Sequence, residues 1–280
     1  MRTINYQDVV EQVKGACIRM TCDLPHDVQA MIEKKASEED GKLAKEMLNI
    51  IIENANIARN EQRPMCQDTG MVVCFASIGQ DVHIEGGLLT DAINEGVAQG
   101  YTEGYLRKSV VNNPLDRVNT LNNTPAIIHY DIVEGDKLTL VLAAKGFGSE
   151  NMSQLKMFPP AAGIEGAKEF ILKVVKEAGP NPCPPLVIGV GLGGDFEMVA
   201  KLAKQAAIRN LDYVNPNEKL LALEKELEEE INKMGIGPQG FGGKTFVLKV
   251  NIEMFATHIA GLPVAVNINC HAARHIKVVL

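Results

Sequence analysis

A change of hydrophobic period part-way along the chain is what most limits its fold. In residues 41–62, Leu43, Met47, Ile50, Ile51, Ala55 and Ala58 recur at i, i+3, i+4 spacing, which predicts a helix with one apolar face. Residues 3–20 and 26–37 read as shorter helices, and Pro64 ends the helical third. Beyond it, apolar residues come in short β-rich runs at 71–79, 126–132, 138–144, 186–190, 245–256 and 262–269. Helical stretches at 86–106, 161–178 and 217–234 lie among them. This order predicts an α+β fold, with an N-terminal helical region (about 1–62) followed by mixed β-sheet segments with packed helices. Glu134-Gly135-Asp136, between two strands, predicts a hairpin. The charge run of 217–234 predicts a solvated helix face, and 235–243 a flexible loop.

Composition narrows the function. With 28 Lys plus Arg against 35 Asp plus Glu, the net charge is −7, which gives no nucleic-acid footprint. No apolar run approaches the roughly 20 residues that span a bilayer, and MRTINYQDVVEQVKG lacks the apolar stretch of a signal peptide. A cytoplasmic protein with reduced cysteines is therefore expected, binding neither nucleic acid nor membrane. The absence of Trp, with only 5% aromatic residues, argues against stacking on sugars or bases as the main task and is compatible with a small polar substrate.

Four Gly- or Pro-rich turns carry more polar chemistry than turn-making requires. They are Pro64-Met65-Cys66-Gln67-Asp68-Thr69-Gly70, Lys145-Gly146-Phe147-Gly148-Ser149-Glu150-Asn151, Asn181-Pro182-Cys183-Pro184-Pro185, and Asn269-Cys270-His271-Ala272-Ala273-Arg274-His275. Three hold one cysteine each, 117 and 87 residues apart, so a zinc finger with its close Cys pairs is excluded. Single loop cysteines so far apart are either ordinary thiols or ligands that converge in space, as around an iron–sulfur cluster.

The segments MCQDTG, KGFGSEN, NPCPPLVIGVGLGG and NCHAARH, in that order, resemble the catalytic subunit of the iron–sulfur hydro-lyases, the class I fumarases and L-tartrate dehydratases. The resemblance runs from about residue 5 to 275, and implies one catalytic domain over 1–280. Single-chain members of the family are about twice as long, so the chain resembles the α subunit of the two-subunit form, with the β subunit a separate chain. By resemblance, Cys66, Cys183 and Cys270 ligate three irons of a [4Fe–4S] cluster whose fourth iron is open, Asp68 exchanges a proton with the substrate hydroxyl, and Gln67 touches substrate. Arg107 is the expected carboxylate clamp, because guanidinium binds carboxylate in bidentate fashion, with Arg117 behind it. Backbone N–H groups from Gly146 to Ser149, Gly148 included, are an expected anion nest. The family carries a histidine near the substrate entrance, which falls on His258 here, and His271 and His275 are expected donors to cluster sulfur. Cys17, Cys22 and Cys74 read as core or surface thiols.

The expected reaction is reversible dehydration of (S)-malate to fumarate, as in the tricarboxylic acid cycle. The alternative is dehydration of L-tartrate to oxaloacetate. The resemblance also implies an oxygen-sensitive enzyme, a heterotetramer of two αβ pairs, inactive without its β subunit. Two rival readings remain. VIGVGLGGDFEMVAKLA has a strand, a Gly-rich turn and a helix, as in dinucleotide folds, but its G-x-G-x-G-G spacing is irregular and its glycines also suit close packing. An iron–sulfur redox sensor or regulatory subunit needs the cysteines but neither Asp68 nor Arg107.

Overall fold

The computed structural model describes residues 1–280. In chain order the first half holds β1 (Arg2–Asn5), α1 (Tyr6–Cys22), α2 (His26–Glu38), α3 (Lys42–Glu61), β2 (Met71–Gly79), β3 (Val82–Glu85), α4 (Leu89–Glu103), β4 (Ile127–Val133) and β5 (Leu138–Lys145). The second half holds α5 (Phe147–Glu150), β6 (Gln154–Phe158), α6 (Gly163–Ala178), β7 (Leu186–Gly194), α7 (Phe196–Ala207), α8 (Glu218–Asn232), β8 (Val247–Thr257), β9 (Leu262–Asn269) and β10 (His275–Val279). The fold is α+β, as the period change predicts. No helix is long and apolar enough to cross a membrane.

Two compact units form, each from separated stretches: residues 1–25, 55–147 and 274–280 make the first, and 26–54 with 148–273 the second. The helical first third is thus not a unit of its own, since α1 belongs to one and α2 to the other. Helix α3 forms as expected, but its inward face is turned. Ala44, Leu48, Ile51, Ala55 and Ala58 are buried, whereas Leu43 and Ile50 are exposed.

In the first unit, α1 and α4 pack on a four-stranded sheet of order β10-β5-β2-β4, and β1 pairs with β3. Helix α1 starts later than expected because Asn5 caps it, its side chain accepting from the Gln7 N–H at 2.9 Å. The expected hairpin does not form. β2 lies between β4 and β5, parallel to one and antiparallel to the other. The 134–136 turn wraps the end of β2 instead, with Gln80 N–H donating to Val133 and Asp81 N–H to Gly135.

The second unit has a sheet of order β6-β9-β7-β8. Alternation along β7 sorts its two faces. Leu186, Ile188, Val190 and Leu192 join α6 and α8 in one apolar core, while Gly189 and Gly191 face α7. A Cβ on Gly189 would lie 2.1 Å from Ala203 O, and one on Gly191 2.2 Å from Val199 O. These glycines let helix and strand backbones meet, which accounts for the spacing that suggested a dinucleotide site.

Helix α8 departs from the expected solvated face. Glu224 is fully buried, and its Oε1 accepts from Ile252 N–H (2.8 Å), Arg209 Nη2 (2.9 Å) and Asn215 Nδ2 (3.0 Å). Glu228 accepts from Val250 N–H at 3.0 Å, and Asn232 from Phe246 and Val247 N–H. Four helical residues rise about 6 Å, and two strand residues about 6.6 Å. Glu224 and Glu228, one i, i+4 step apart on α8, therefore keep step with the alternate residues Ile252 and Val250 of edge strand β8, and Asn232 reaches the start of that strand, so the row satisfies N–H groups that no neighbouring strand reaches. Burial raises the Glu228 carboxyl above its ordinary range.

Candidate active site

The loop between α3 and β2 carries Cys66, Gln67 and Asp68, and the first unit holds its backbone at successive carbonyls. Arg274 Nη1 donates to Asp68 O at 2.7 Å. The Tyr101 hydroxyl donates to Thr69 O at 2.6 Å and to Gly70 O at 3.1 Å, and Asn123 Nδ2 donates to Gly70 O at 3.1 Å. Burial pushes the Tyr101 hydroxyl far above its usual range, so it stays protonated and donates. Clamped carbonyls leave the loop little freedom to reorient Asp68.

The Asp68 carboxylate is fixed at both oxygens. Oδ1 accepts from Gly70 N–H and Oδ2 from Phe147 N–H, each at 2.9 Å. A carboxylate offers about four lone-pair sites, so about two remain for a substrate proton. Oδ2 approaches the main chain closely because residue 146 is glycine. A Cβ there would lie 3.1 Å from Asp68 Oδ2 and 3.5 Å from Arg274 Nη2. The Phe147 N–H belongs to the expected anion nest, and here it serves Asp68 instead. Gly148 is exposed, with open space beside it. Lys145 is buried at the end of β5, with Nζ donating to Gly146 O at 3.1 Å.

Arg107 reaches this loop through its backbone. Thr69 Oγ1 donates to Arg107 O at 2.8 Å, and the Arg107 side chain is exposed. Arg117 is exposed in a turn with φ 57°. The sequence reading missed Arg274, which is 2% exposed. Its sequence signal is a lone arginine among the small residues of NCHAARH.

The second unit brings two of the three loop cysteines together. β7 and β9 are antiparallel, with Val187 opposite Asn269, so Cys183 just before β7 and Cys270 just after β9 occupy one end of the sheet. His271 ties the two loops. Its N–H and its Nδ1 both contact Cys183 O, at 3.3 and 3.0 Å. With the proton on Nδ1, the Gln239 amide is left to donate to Pro184 O at 2.6 Å. His271 thus lies between the two cysteine loops, with its Nδ1 on a backbone carbonyl.

His258 lies elsewhere. It follows Thr257, which pairs with Gly194 at the far end of β7, about 25 Å along the strand by the usual rise. There it lines an apolar hollow of about 800 Å³ with Ile164, Met254, Phe255 and Leu262. Within its own unit the sheet therefore sets His258 apart from Cys183 and Cys270.

None of the six cysteines forms a disulfide. Cys17, Cys22 and Cys74 are buried, and burial raises all three thiols, Cys74 to about 12. Cys66 and Cys270 are half-buried and Cys183 is exposed, all three on loops. Iron–sulfur clusters are bound by thiolates, and these loop thiols ionise more readily than the three in the core.

The model of the fumarate hydratase (fumerase) family matches residues 10–279. A protein of Methanocaldococcus jannaschii named "Putative L(+)-tartrate dehydratase subunit alpha" is 40% identical over 95% of this chain and 94% of its own. An L(+)-tartrate dehydratase subunit alpha of Escherichia coli (strain UTI89) is 32% identical over 95% of this chain and 88% of its own. Its namesake in Shigella boydii is 31% identical over the same shares. With nearly the whole chain matched, the chain belongs to the fumarate hydratase (fumerase) family of hydro-lyases.

Proposed function

We propose that the chain is the α subunit of an iron–sulfur hydro-lyase that interconverts (S)-malate and fumarate. Cys66, Cys183 and Cys270 are its cluster ligands in this reading, and Asp68 its acid–base residue. The observation that carries it is the Asp68 carboxylate, gripped at both oxygens on a loop whose carbonyls are clamped by Arg274, Tyr101 and Asn123. A redox sensor has no use for such a carboxylate.

When bound, a cluster held by three thiolates supplies an open iron as a Lewis acid for the substrate hydroxyl, a poor leaving group. The chain's own residues do the rest. Asp68 holds or moves the hydroxyl proton, with its orientation fixed beforehand so that little reorganisation is needed. Gln67 offers an amide beside it. Arg107, exposed and tied by its backbone to Thr69, offers a guanidinium to a substrate carboxylate.

L-tartrate is the second reading, because the relatives named above are tartrate dehydratase α subunits. Their names also support a separate β subunit. The test is turnover of (S)-malate, fumarate and L-tartrate by the complex of this chain with that subunit, prepared without oxygen. A higher kcat/KM for malate and fumarate supports the first reading, and a higher value for tartrate the second. Asp68→Asn keeps the acceptor for Gly70 N–H but loses the proton-transfer group. It is expected to lower kcat about 10²–10⁴-fold while iron is retained. Unchanged turnover would remove Asp68 from the mechanism.

A further inference from the structure

Residues 235–243, expected as a flexible loop, are closed on themselves and seated on the loop that carries Cys183. Gly242 N–H donates to Ile236 O at 2.8 Å, and a Cβ on Gly237 would lie 1.7 Å from Gly242 O, so the ends of this strap meet at a distance that only glycine permits. A Cβ on Gly240 would lie 2.6 Å from Pro180 Cβ, which brings the strap against the start of the cysteine loop. Between these glycines, Gln239 grips one atom twice. Its backbone N–H donates to Pro184 O at 2.9 Å, and its side-chain Nε2 donates to the same oxygen at 2.6 Å. The preceding carbonyl, Cys183 O, is held by His271. Two of these residues sit in the left-handed region without being glycine, with φ of 56° at Cys183 and 53° at Gln239. Such a conformation costs free energy and persists only where its surroundings over-determine it. Cys183 is exposed, so the apolar core gains nothing from fixing it. What the strap fixes is the direction of a thiol.

We propose that Gln239 is a positioning residue for Cys183, holding its loop in the conformation in which the thiolate meets iron. The proposal rests on the cluster reading above and adds to it a residue that acts through Pro184 O. With Pro184 O held by Gln239 and Cys183 O by His271, two successive carbonyls are fixed, and the Cys183 backbone has little freedom to turn its side chain away. A ligand oriented beforehand loses less conformational freedom when iron binds, and it stands ready to recapture an iron that detaches.

The test compares wild type, Gln239→Met and Asn217→Ala, each in complex with the β subunit, cluster-loaded and cluster-free. Methionine matches glutamine in length and lacks the donor. Asn217 caps α8, accepting from Lys219 and Leu220 N–H, and it lines the apolar hollow at the far end of the sheet. Asn217→Ala is therefore a destabilising control remote from Cys183 and Cys270. Three quantities are read: the Tm of the cluster-free complex, the visible circular dichroism of the loaded one, and its rate of iron loss to a chelator without oxygen. Each variant loses hydrogen bonds of one side chain, so each should lower the Tm by no more than about 4 °C. Gln239→Met should also alter the dichroism, which reports ligand geometry, and lose iron about tenfold faster. Asn217→Ala should match wild type in both.

A glutamine that serves only the stability of the fold gives a different pattern. Gln239→Met would then fail to assemble or melt far below the control, or the control would lose iron as fast as Gln239→Met, and any of these overturns the proposal. So does iron loss from Gln239→Met less than about threefold faster than wild type, or a wild-type dichroism spectrum. A wild-type complex that takes up no iron on oxygen-free reconstitution refutes the cluster reading itself, and the two failures are thereby told apart.

Discussion

Gly146→Ala separates the catalytic geometry from the stability of the fold. The glycine does not have a positive φ, so alanine suits the backbone there. By restricting the unfolded chain, such a replacement stabilises by about 0.4–1 kcal/mol. Against this, the new Cβ meets Asp68 Oδ2 at 3.1 Å and Arg274 Nη2 at 3.5 Å, so the carboxylate must yield by a few tenths of an ångström. The two effects nearly offset, and the Tm should move by less than about 3 °C. Catalysis is less forgiving. A 1 Å misplacement costs about 10²-fold, so a few tenths should lower kcat about three- to tenfold, with a smaller change in KM. The assay is initial-rate dehydration by the complex with its β subunit, alongside thermal unfolding of the same preparations. A kcat within about 1.5-fold of wild type, at unchanged Tm, would show that the chemistry does not depend on where Asp68 Oδ2 sits.

Three further outcomes follow from the same structure. Glu224→Ala strips Arg209 and Ile252 N–H of a fully buried acceptor and should cost about 3 kcal/mol or more in denaturant unfolding; a loss below about 1 kcal/mol would show the network to be dispensable. The folded-state pKa of Glu228 is raised above 4.5, so this carboxyl favours folding below that pH and loses its contribution as pH rises through the folded value. Glu228→Gln should therefore gain stability over wild type progressively above about pH 4.5, and a pH-independent difference would refute the assignment. In cluster-free native protein, a thiol reagent should modify Cys66, Cys183 and Cys270 well before Cys17, Cys22 and Cys74, read by mass spectrometry; early loss of Cys17 or Cys74 would contradict the packing.

The strands and helices were legible where period and length agreed. Residues 71–79 and 262–269 form strands with the bounds their apolar runs suggest, because both are buried in sheet interiors. Pairing was not legible. The turn at 134–136 has hairpin chemistry, yet the partner of each flanking strand is β2, a choice made by core burial over distance in the chain. Glu224 shows the same limit for charge. Nothing in LEKELEEE tells which glutamate will face an edge strand, since that depends on β8 lying beside the helix. At the site, the loop bearing Cys66, Gln67 and Asp68 stood out because its polar residues exceed what a turn needs. Arg274 did not, because its importance lies in burial, and burial of a charged side chain is set by tertiary packing. His258 was placed by resemblance alone, and the antiparallel run of β7 against β9 puts it at the other end of its sheet.

In the proposed reading three loop cysteines hold an iron–sulfur cluster that works together with the fixed Asp68 carboxylate. Iron and inorganic sulfide content after anaerobic reconstitution tests it most directly, for wild type and for Cys66→Ser, Cys183→Ser and Cys270→Ser, each co-expressed with the β subunit. About four irons per wild-type α chain are expected, with a clear loss in each variant. Iron retained in full by any one of the three variants would contradict the ligand set.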